Sequence, residues 1–462
     1  MRIKNIIILL TALFIIGTSL VESLGSYLSP EEETELGRRF LISITSHYEP
    51  SDYPYIVEYI NDLGKYLGHQ IEVPYFPLNF YVIKESGLNA FAAPAGHVFI
   101  FSGMIRVMDN LDELASILAH ELAHVSARHL ASRVERSKKI GMATMAGILA
   151  GILAGGKAAG ALVTSSIAAG IQAELGYSRE DESQADQLGF KYTHRSGFNP
   201  NGMITVLKKI QRERWYGKGE IPPYLLTHPG TPERMANIEG MLVGYQKMPE
   251  PDRTKGLRSK FPIFRTMVMA LYHDKEDATR EFKKSLHADT ESAVANYGLG
   301  LIMQREGLVD DALNHFKIAL RKKPDSIPIM YAMGQAYHTS GQYENSISIL
   351  NEALRLSPKD KEIMYLLAQS LQTLERYDQA SKIYERLTFL PPVKHRVYYN
   401  LGLIYGRQGK LVMAHYNLGI YFTKLRRREK ALFHFKKAKG LVGSDAALRK
   451  KIDKALTDLK GF

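Results

Sequence analysis

The sequence predicts an α+β chain in two parts: a mostly helical N-terminal domain with a small β-sheet, then an all-α repeat solenoid. Three observations carry this. Residues 78–84 (LNFYVIK) and 97–101 (HVFIF) are short β-branched and aromatic runs bounded by turn residues, and read as strands. Capped segments around them read as helices. Beyond residue 256 the sequence repeats every 34 residues, a period typical of stacked helical hairpins.

At 462 residues the chain exceeds one ordinary core. A 45% hydrophobic and 23% charged composition is that of a folded protein, neither disordered nor polytopic. The net charge of +12 fits solubility, or loose attraction to anionic lipid or acidic proteins, and does not point to nucleic acid.

Taken in order, Arg2 and Lys4 precede an apolar run over 6–20, shorter than the ~20 residues a spanning helix needs. Ser23-Leu24-Gly25 offers a small-residue cleavage site, so residues 1–25 read as a secretory signal, with an uncleaved anchor as the alternative. No cysteine is present for a lipid attachment or a disulfide. Export itself points to a periplasm-like compartment.

The first domain is assigned to 26–248. Ser29-Pro30-Glu31-Glu32 is a capping box with proline at the first helical position, and 52–69 continues as helix. Residues 89–96 (NAFAAPAG) form a small-residue turn between the two strands. Residues 140–175 are rich in Ala, Gly and Ile, with Gly147, Gly151 and Gly155 spaced for close helix contact. This insert reads as a helical hairpin or mobile loop packed on the domain, or as a segment touching the membrane. Residues 246–256 (QKMPEPDRTKG) read as a linker.

The repeats occupy 257–443. Tyr297, Tyr331, Tyr365 and Tyr399 recur at intervals of 34, as do Gly300, Gly334, Ala368 and Gly402, and Pro324, Pro358 and Pro392. Small residues where helices cross and a closing proline are the tetratricopeptide signature. Ala278 and Phe282 anticipate Ala312 and Phe316, so a degenerate unit begins near 257. Gly402 to Gly419 and Ala414 to Ala431 are each 17 apart, which implies one helix shared by two hairpins. Residues 444–462 supply the capping helix. The basic run 424–430 (KLRRREK) reads as a solvated helix end, and Arg128, Arg133 and Arg136 as surface charges.

Chemistry concentrates in His120-Glu121-Leu122-Ala123-His124, on a helix opened by Asn110. At ~100° per residue the two imidazoles lie about 40° apart on one face, placed to hold one Zn²⁺ with Glu121 beside them to accept a proton from water. The bland alternative is an amphipathic helix with two buried histidines. A catalytic zinc usually takes a third protein ligand. His129 lies about 140° round from His124 and cannot join unless the helix breaks, and no glycine breaks it. Glu182 in 178–186 (SREDESQAD) is the better candidate, since Asp186 shares its face and can accept the free N–H of a ligating histidine.

HELAH, the Gly/Ala-rich insert, SREDESQAD and then Leu226-Thr227-His228-Pro229 resemble, in that order, the HtpX/CAAX-protease family of gluzincin metallopeptidases. With a signal and C-terminal tetratricopeptide repeats, the chain from about residue 29 to its end is similar to the family's periplasmic branch. The resemblance implies a zincin-type domain binding one Zn²⁺ per chain through His120, His124 and Glu182. It implies Glu121 as catalytic base and Asp186 as the acid that orients a ligand. His228 then either stabilises the oxyanion or reaches the zinc as a fourth ligand and holds the enzyme latent. Residues 97–101 match the edge strand along which extended substrate is laid. The implied activity is endopeptidase action on unfolded or misassembled exported and outer-membrane proteins. The implied location is periplasmic, associated with the outer membrane, with the repeat groove holding a protein partner such as the outer-membrane assembly machinery. A chaperone or scaffold with a mostly silent peptidase is the alternative, and a degenerate metal-free fold a third.

Overall fold

The structure, a computed structural model, describes residues 28–136, 142–154, 177–216, 222–229 and 232–459. The expected signal at 1–25 and the larger part of the insert lie outside these residues. The chain divides into two compact units, Met1–His273 and Asp274–Phe462.

The first unit opens with α1 (Pro30–His47), whose capping box closes as its sequence requires. The Glu32 N–H donates to Ser29 Oγ at 3.2 Å, and the Ser29 N–H to the Glu32 carboxylate at 2.9 Å. Helix α2 (Pro54–Gly68) follows, then β1 (Asn79–Ile83), β2 (Ala90–Ala93) and β3 (His97–Phe101). The sheet order is β1-β3-β2, with β1 parallel and β2 antiparallel to β3.

Two expectations are corrected here. The small-residue turn at 89–96 contains a strand, β2, whose alanines lack the β-branched signature, and only Pro94–Gly96 turns the chain. Ala95 and Gly96 both adopt positive φ, which lets β2 fold straight back onto β3. Consequently β3 is the central strand, and β1 and β2 are the edges.

Phe40 of α1 sets the core over this sheet, with its ring 6.3 Å from Phe91 and 5.8 Å from Phe99. Helix α6 (Met142–Ala154) buries Met145, Ala146 and Leu149 in the same cluster, so this half of the insert packs on the domain. No helix among the described residues is long and apolar enough to cross a membrane.

Between these elements run α3 (Ser102–Arg106), α4 (Leu111–Ser126) and α5 (His129–Arg136); after them come α7 (Arg179–Arg195), α8 (Asn201–Tyr216), α9 (Pro223–Thr227) and α10 (Pro232–Val243). Helix α11 (Asp252–Tyr272) belongs to this unit, although its position in sequence groups it with the repeats that were expected from 257. Phe264 stacks on Tyr59 at 4.3 Å, the Tyr59 hydroxyl donates to the Leu257 carbonyl, and Arg258 makes two 2.9 Å bonds to Asp112 in the first turn of α4.

The second unit is an antiparallel series: α12 (Lys275–Ala288), α13 (Ala293–Arg305), α14 (Val309–Lys322), α15 (Ile327–Thr339), α16 (Tyr343–Leu356), α17 (Lys361–Thr373), α18 (Tyr377–Thr388), α19 (His395–Arg407), α20 (Leu411–Lys424), α21 (Arg428–Leu441) and α22 (Ala446–Asp458). The periodic glycines have a steric cause. A Cβ on Gly300 would lie 2.5 Å from Phe316, on Gly334 2.7 Å from Leu350, and on Gly402 2.7 Å from Leu418. Each small residue admits a large one sixteen positions later from the second helix of its hairpin. Gly419 repeats this against Phe435 at 2.4 Å, so α20 is second helix to α19 and first helix to α21.

Candidate metal centre

Helix α4 carries the histidine pair. The Asn110 side chain accepts from the Glu113 N–H at 3.1 Å and fixes its start. From ten residues on the helix is wholly inside, with His120, Glu121 and His124 all at 1% exposure or less. The two Nε2 atoms lie 3.1 Å apart. Two nitrogens on a tetrahedral zinc, each at about 2.0–2.1 Å, would be about 3.3 Å apart, so the pair is already spaced for one ion.

Helix α7 brings the carboxylates. It starts at a capping box between Ser178 and Asp181 and crosses α4 where Gly189 meets the His120 backbone; a Cβ there would sit 3.1 Å from the His120 Cα. That close approach delivers Glu182, whose two oxygens lie 3.6 Å from His120 Nε2 and 3.5 Å from His124 Nε2. His228, just after α9, completes the group, with Nδ1 at 2.8 Å from Glu182 Oε1. One donor atom from each of His120, His124, Glu182 and His228 falls within 4.8 Å of the others, and all four residues are buried.

The donor set fits a divalent ion. Both Glu121 oxygens and His228 Nε2 are buried without a hydrogen-bond partner among the described residues, 3.6 Å apart at their nearest. A buried carboxylate so left is costly, and a cation with its water is the chemistry that would satisfy it.

The surrounding bonds decide which nitrogens are available. His120 Nδ1 lies 3.0 Å from Asp186 Oδ1, an acceptor only, so Nδ1 keeps its hydrogen and Nε2 is the nitrogen left to face an ion once it gives up its proton. His129 stays outside the group of candidate ligands, as expected, but it orients His124, which the expectation of an unbroken helix did not foresee. The helix does break: Arg128 takes φ 53 without being glycine, and α5 begins at His129. Arg128 is held there by Glu33 of α1, at 2.7 and 3.0 Å. The His129 ring then meets His124 Nδ1 at 2.9 Å with its own Nδ1, while its Nε2 meets the Gln184 amide oxygen at 2.8 Å. That oxygen only accepts, so His129 Nε2 carries its hydrogen, His129 Nδ1 accepts from His124, and His124 Nε2 is free. Arg133 is no surface charge either: it is buried and pairs with Asp181, which caps α7.

Sequence reasoning missed Arg234 on α10. Its guanidinium bonds Asp186 at 2.6 and 2.8 Å and lies 2.6 Å from Glu182, with 5% exposure. A buried arginine is rare enough to mark a site, but nothing in its sequence surroundings reveals the burial. Tyr224 stacks on His228 at 4.7 Å and Tyr177 covers His124 at 3.9 Å, excluding water from that side.

Burial and the Arg234 charge press His120 towards neutrality, but bonds to Asp186 and Glu182 outweigh them and raise its pKa to about 9. Burial holds His124 well below the ordinary imidazole value. Burial alone would raise both carboxyls; His228 and Arg234 keep Glu182 well below its usual value, and His120 and Arg234 do the same in lesser degree for Asp186. The site is therefore a buried cup in which the Glu182 and Asp186 carboxylates face the Arg234 and His120 charges.

The edge beside it is β2, not β3. The Leu88 carbonyl, just before β2, accepts from the Tyr224 N–H at 3.1 Å, so the segment carrying His228 is tied to the start of that edge.

Residues 57–242 match the model for peptidase family M48, 305–387 that for anaphase-promoting complex, cyclosome, subunit 3, and 365–414 a tetratricopeptide repeat. A beta-barrel assembly-enhancing protease of Yersinia pestis is 30% identical over 290 residues, 61% of this chain and 57% of the relative. Its Escherichia coli K12 counterpart is 32% identical over 218 residues, 46% and 45% of the two chains. The mitochondrial metalloendopeptidase OMA1 of Schizosaccharomyces pombe is 28% identical over 162 residues, 35% and 46%. The chain thus spans about half the length of the curated relatives it matches. His120, Glu121, His124, Glu182, Asp186 and His228 all fall within the segment that matches peptidase family M48, and the chain is similar to metallopeptidases of that family, with a tetratricopeptide-repeat match beyond it.

Proposed function

We propose that this chain is a zinc-dependent endopeptidase of the cell envelope, with His120, His124 and Glu182 as zinc ligands and Glu121 as general base. The observation that carries the reading is the meeting of four buried donor atoms within 4.8 Å beside an unpartnered buried glutamate. Zinc bound there would supply Lewis-acid activation of water and of the scissile carbonyl. Glu121 takes the proton of the attacking water and passes it to the leaving amine. Asp186 and His129 fix the two imidazoles, and Arg234 balances the acidic side of the cup. Unfolded or misassembled exported and outer-membrane proteins are the substrates, in the periplasm, and the repeats dock a protein partner such as the barrel assembly machinery; the names of the relatives support this. Glu121→Gln tests the assignment: it should retain one zinc per chain and lose casein hydrolysis, and retained hydrolysis would refute it.

A second reading, a chaperone or scaffold with a mostly latent peptidase, is favoured by one feature. His228 sits among the ligands with no exposed surface, where substrate or water would otherwise enter. As a fourth ligand it holds the site closed. Hydrolysis that rises in His228→Ala identifies a latch, and hydrolysis that disappears identifies a catalytic histidine.

A further inference from the structure

Three quarters of the chain's net charge lies at one end. Of +12 over 462 residues, the segment 424–462 holds thirteen Lys and Arg against four Asp and Glu. The described basic side chains of this segment are all exposed. Among them only Lys439 has a carboxylate partner, Asp453 at 2.7 Å. Earlier in the same unit, cations bridge neighbouring hairpins, as Lys394 does to Glu362. Arg428 is tied to the Leu459 carbonyl at 3.1 Å and Arg449 to the Gly443 carbonyl at 2.8 Å, but their charge, like that of the lysines other than Lys439, meets no carboxylate among the described residues, and its self-repulsion disfavours the compact state.

Apolar groups are interleaved with it. Lys430, Phe433, Lys437 and Leu441 are spaced three, four and four apart and share one face of α21. Phe433 is 53% and Leu441 47% exposed, and Lys437 Nζ stands 6.0 Å above the Phe433 ring. The packing face of α21 is already used, since Ala431, Phe435 and Ala438 are buried against α20 and α22. Cations flanking exposed aromatic and aliphatic side chains is the composition of a helix lying at a lipid–water interface.

We propose that the α21–α22 end of the repeat unit docks on an anionic phospholipid surface. Lysines and arginines of both helices, Lys450 and Lys451 included, sit over headgroup phosphates, and Phe433 and Leu441 enter the boundary beneath. An acidic protein face would use the charge alone; a bilayer takes the charge and the two apolar side chains together.

The test uses the purified full chain and sedimentation with phosphatidylcholine vesicles, with and without phosphatidylglycerol. Binding should require phosphatidylglycerol and weaken as salt rises. Each lysine contributes about fivefold, so K430Q/K436Q/K437Q should bind about a hundredfold more weakly. Phe433→Ala should cost roughly tenfold. Both variants change exposed positions, and an unaltered melting temperature certifies their folding. Equal partition onto uncharged vesicles overturns the proposal, as does wild-type binding by the triple variant. If Phe433→Ala binds normally and polyglutamate displaces the vesicles, the surface serves an acidic polypeptide and the lipid assignment is wrong.

Discussion

Replacing His129 with phenylalanine isolates a residue outside the group of candidate donors that is bonded to one of them, His124. The ring volume is roughly kept, so the α5 packing survives, but both hydrogen bonds vanish. His124 Nδ1–H, now facing a hydrocarbon edge 2.9 Å from where its acceptor stood, is a buried donor without a partner. That costs about 1–3 kcal/mol. Part of the cost is relieved if the ring flips or changes tautomer, and either response turns the lone pair of Nε2 away from His120. Loss of a partner behind a ligating histidine typically weakens zinc 10–100-fold, or about 1.4–2.7 kcal/mol. Chelator competition on the purified full chain reads this directly, and nitrogen-shift NMR of the metal-free protein reads the His124 tautomer. A purely structural role for His129 would lower the melting temperature equally with and without zinc. Zinc affinity within twofold of wild type, or an unchanged His124 tautomer, refutes the relay through His129.

Zinc uptake by the stripped protein should release about one proton near neutral pH, because His120 is protonated below about 9 while His124 and Glu182 already are not; calorimetry in buffers of different ionisation enthalpy measures it. The raised His120 pKa also fixes a sign: its stabilisation of the metal-free fold is complete below the unperturbed value of 6.5 and is lost as pH climbs through about 9, so the stripped protein should melt lower at the upper end of that window. Phe40→Ala, at a fully buried ring between Phe91 and Phe99, should destabilise the first unit by about 3–5 kcal/mol in denaturant titration. Gly419→Val drives a branched side chain into the Phe435 ring and should cost the second unit about 1–3 kcal/mol while leaving zinc affinity alone.

The candidate donors and their orienting acid were legible because their spacing is local: His120 and His124 share a helix turn, and Glu182 and Asp186 share another. The 34-residue period was legible for the same reason, each glycine answering to a residue sixteen positions on. What escaped depends on distant partners. Arg128 leaves the helix without glycine because Glu33, 95 positions away, pairs with it, and only then does His129 reach His124. Arg234 looks like any charged residue on an amphipathic helix until Asp186 and Glu182 surround it. Strand β2 is spelled in alanines, which have no strand preference, and the demotion of β3 from edge to centre follows from missing it. Helix α11 was counted with the repeats because linker composition suggested a boundary before it; Arg258 on Asp112 and Phe264 on Tyr59 bind it to the first unit.

The double duty of α20 changes the unit of growth for this solenoid. An array of self-contained pairs can lengthen only by whole pairs, since an odd helix would leave a glycine face with no large residue to fill it. Where Gly402 receives Leu418 and Gly419 receives Phe435, the same surface code is written every seventeen residues. Duplicating 411–427 there would extend the stack by a single helix and preserve every seam, reversing the direction in which all later helices run. A superhelix with one such position can thus switch parity, and with it the side on which its terminal cap emerges, by one short duplication.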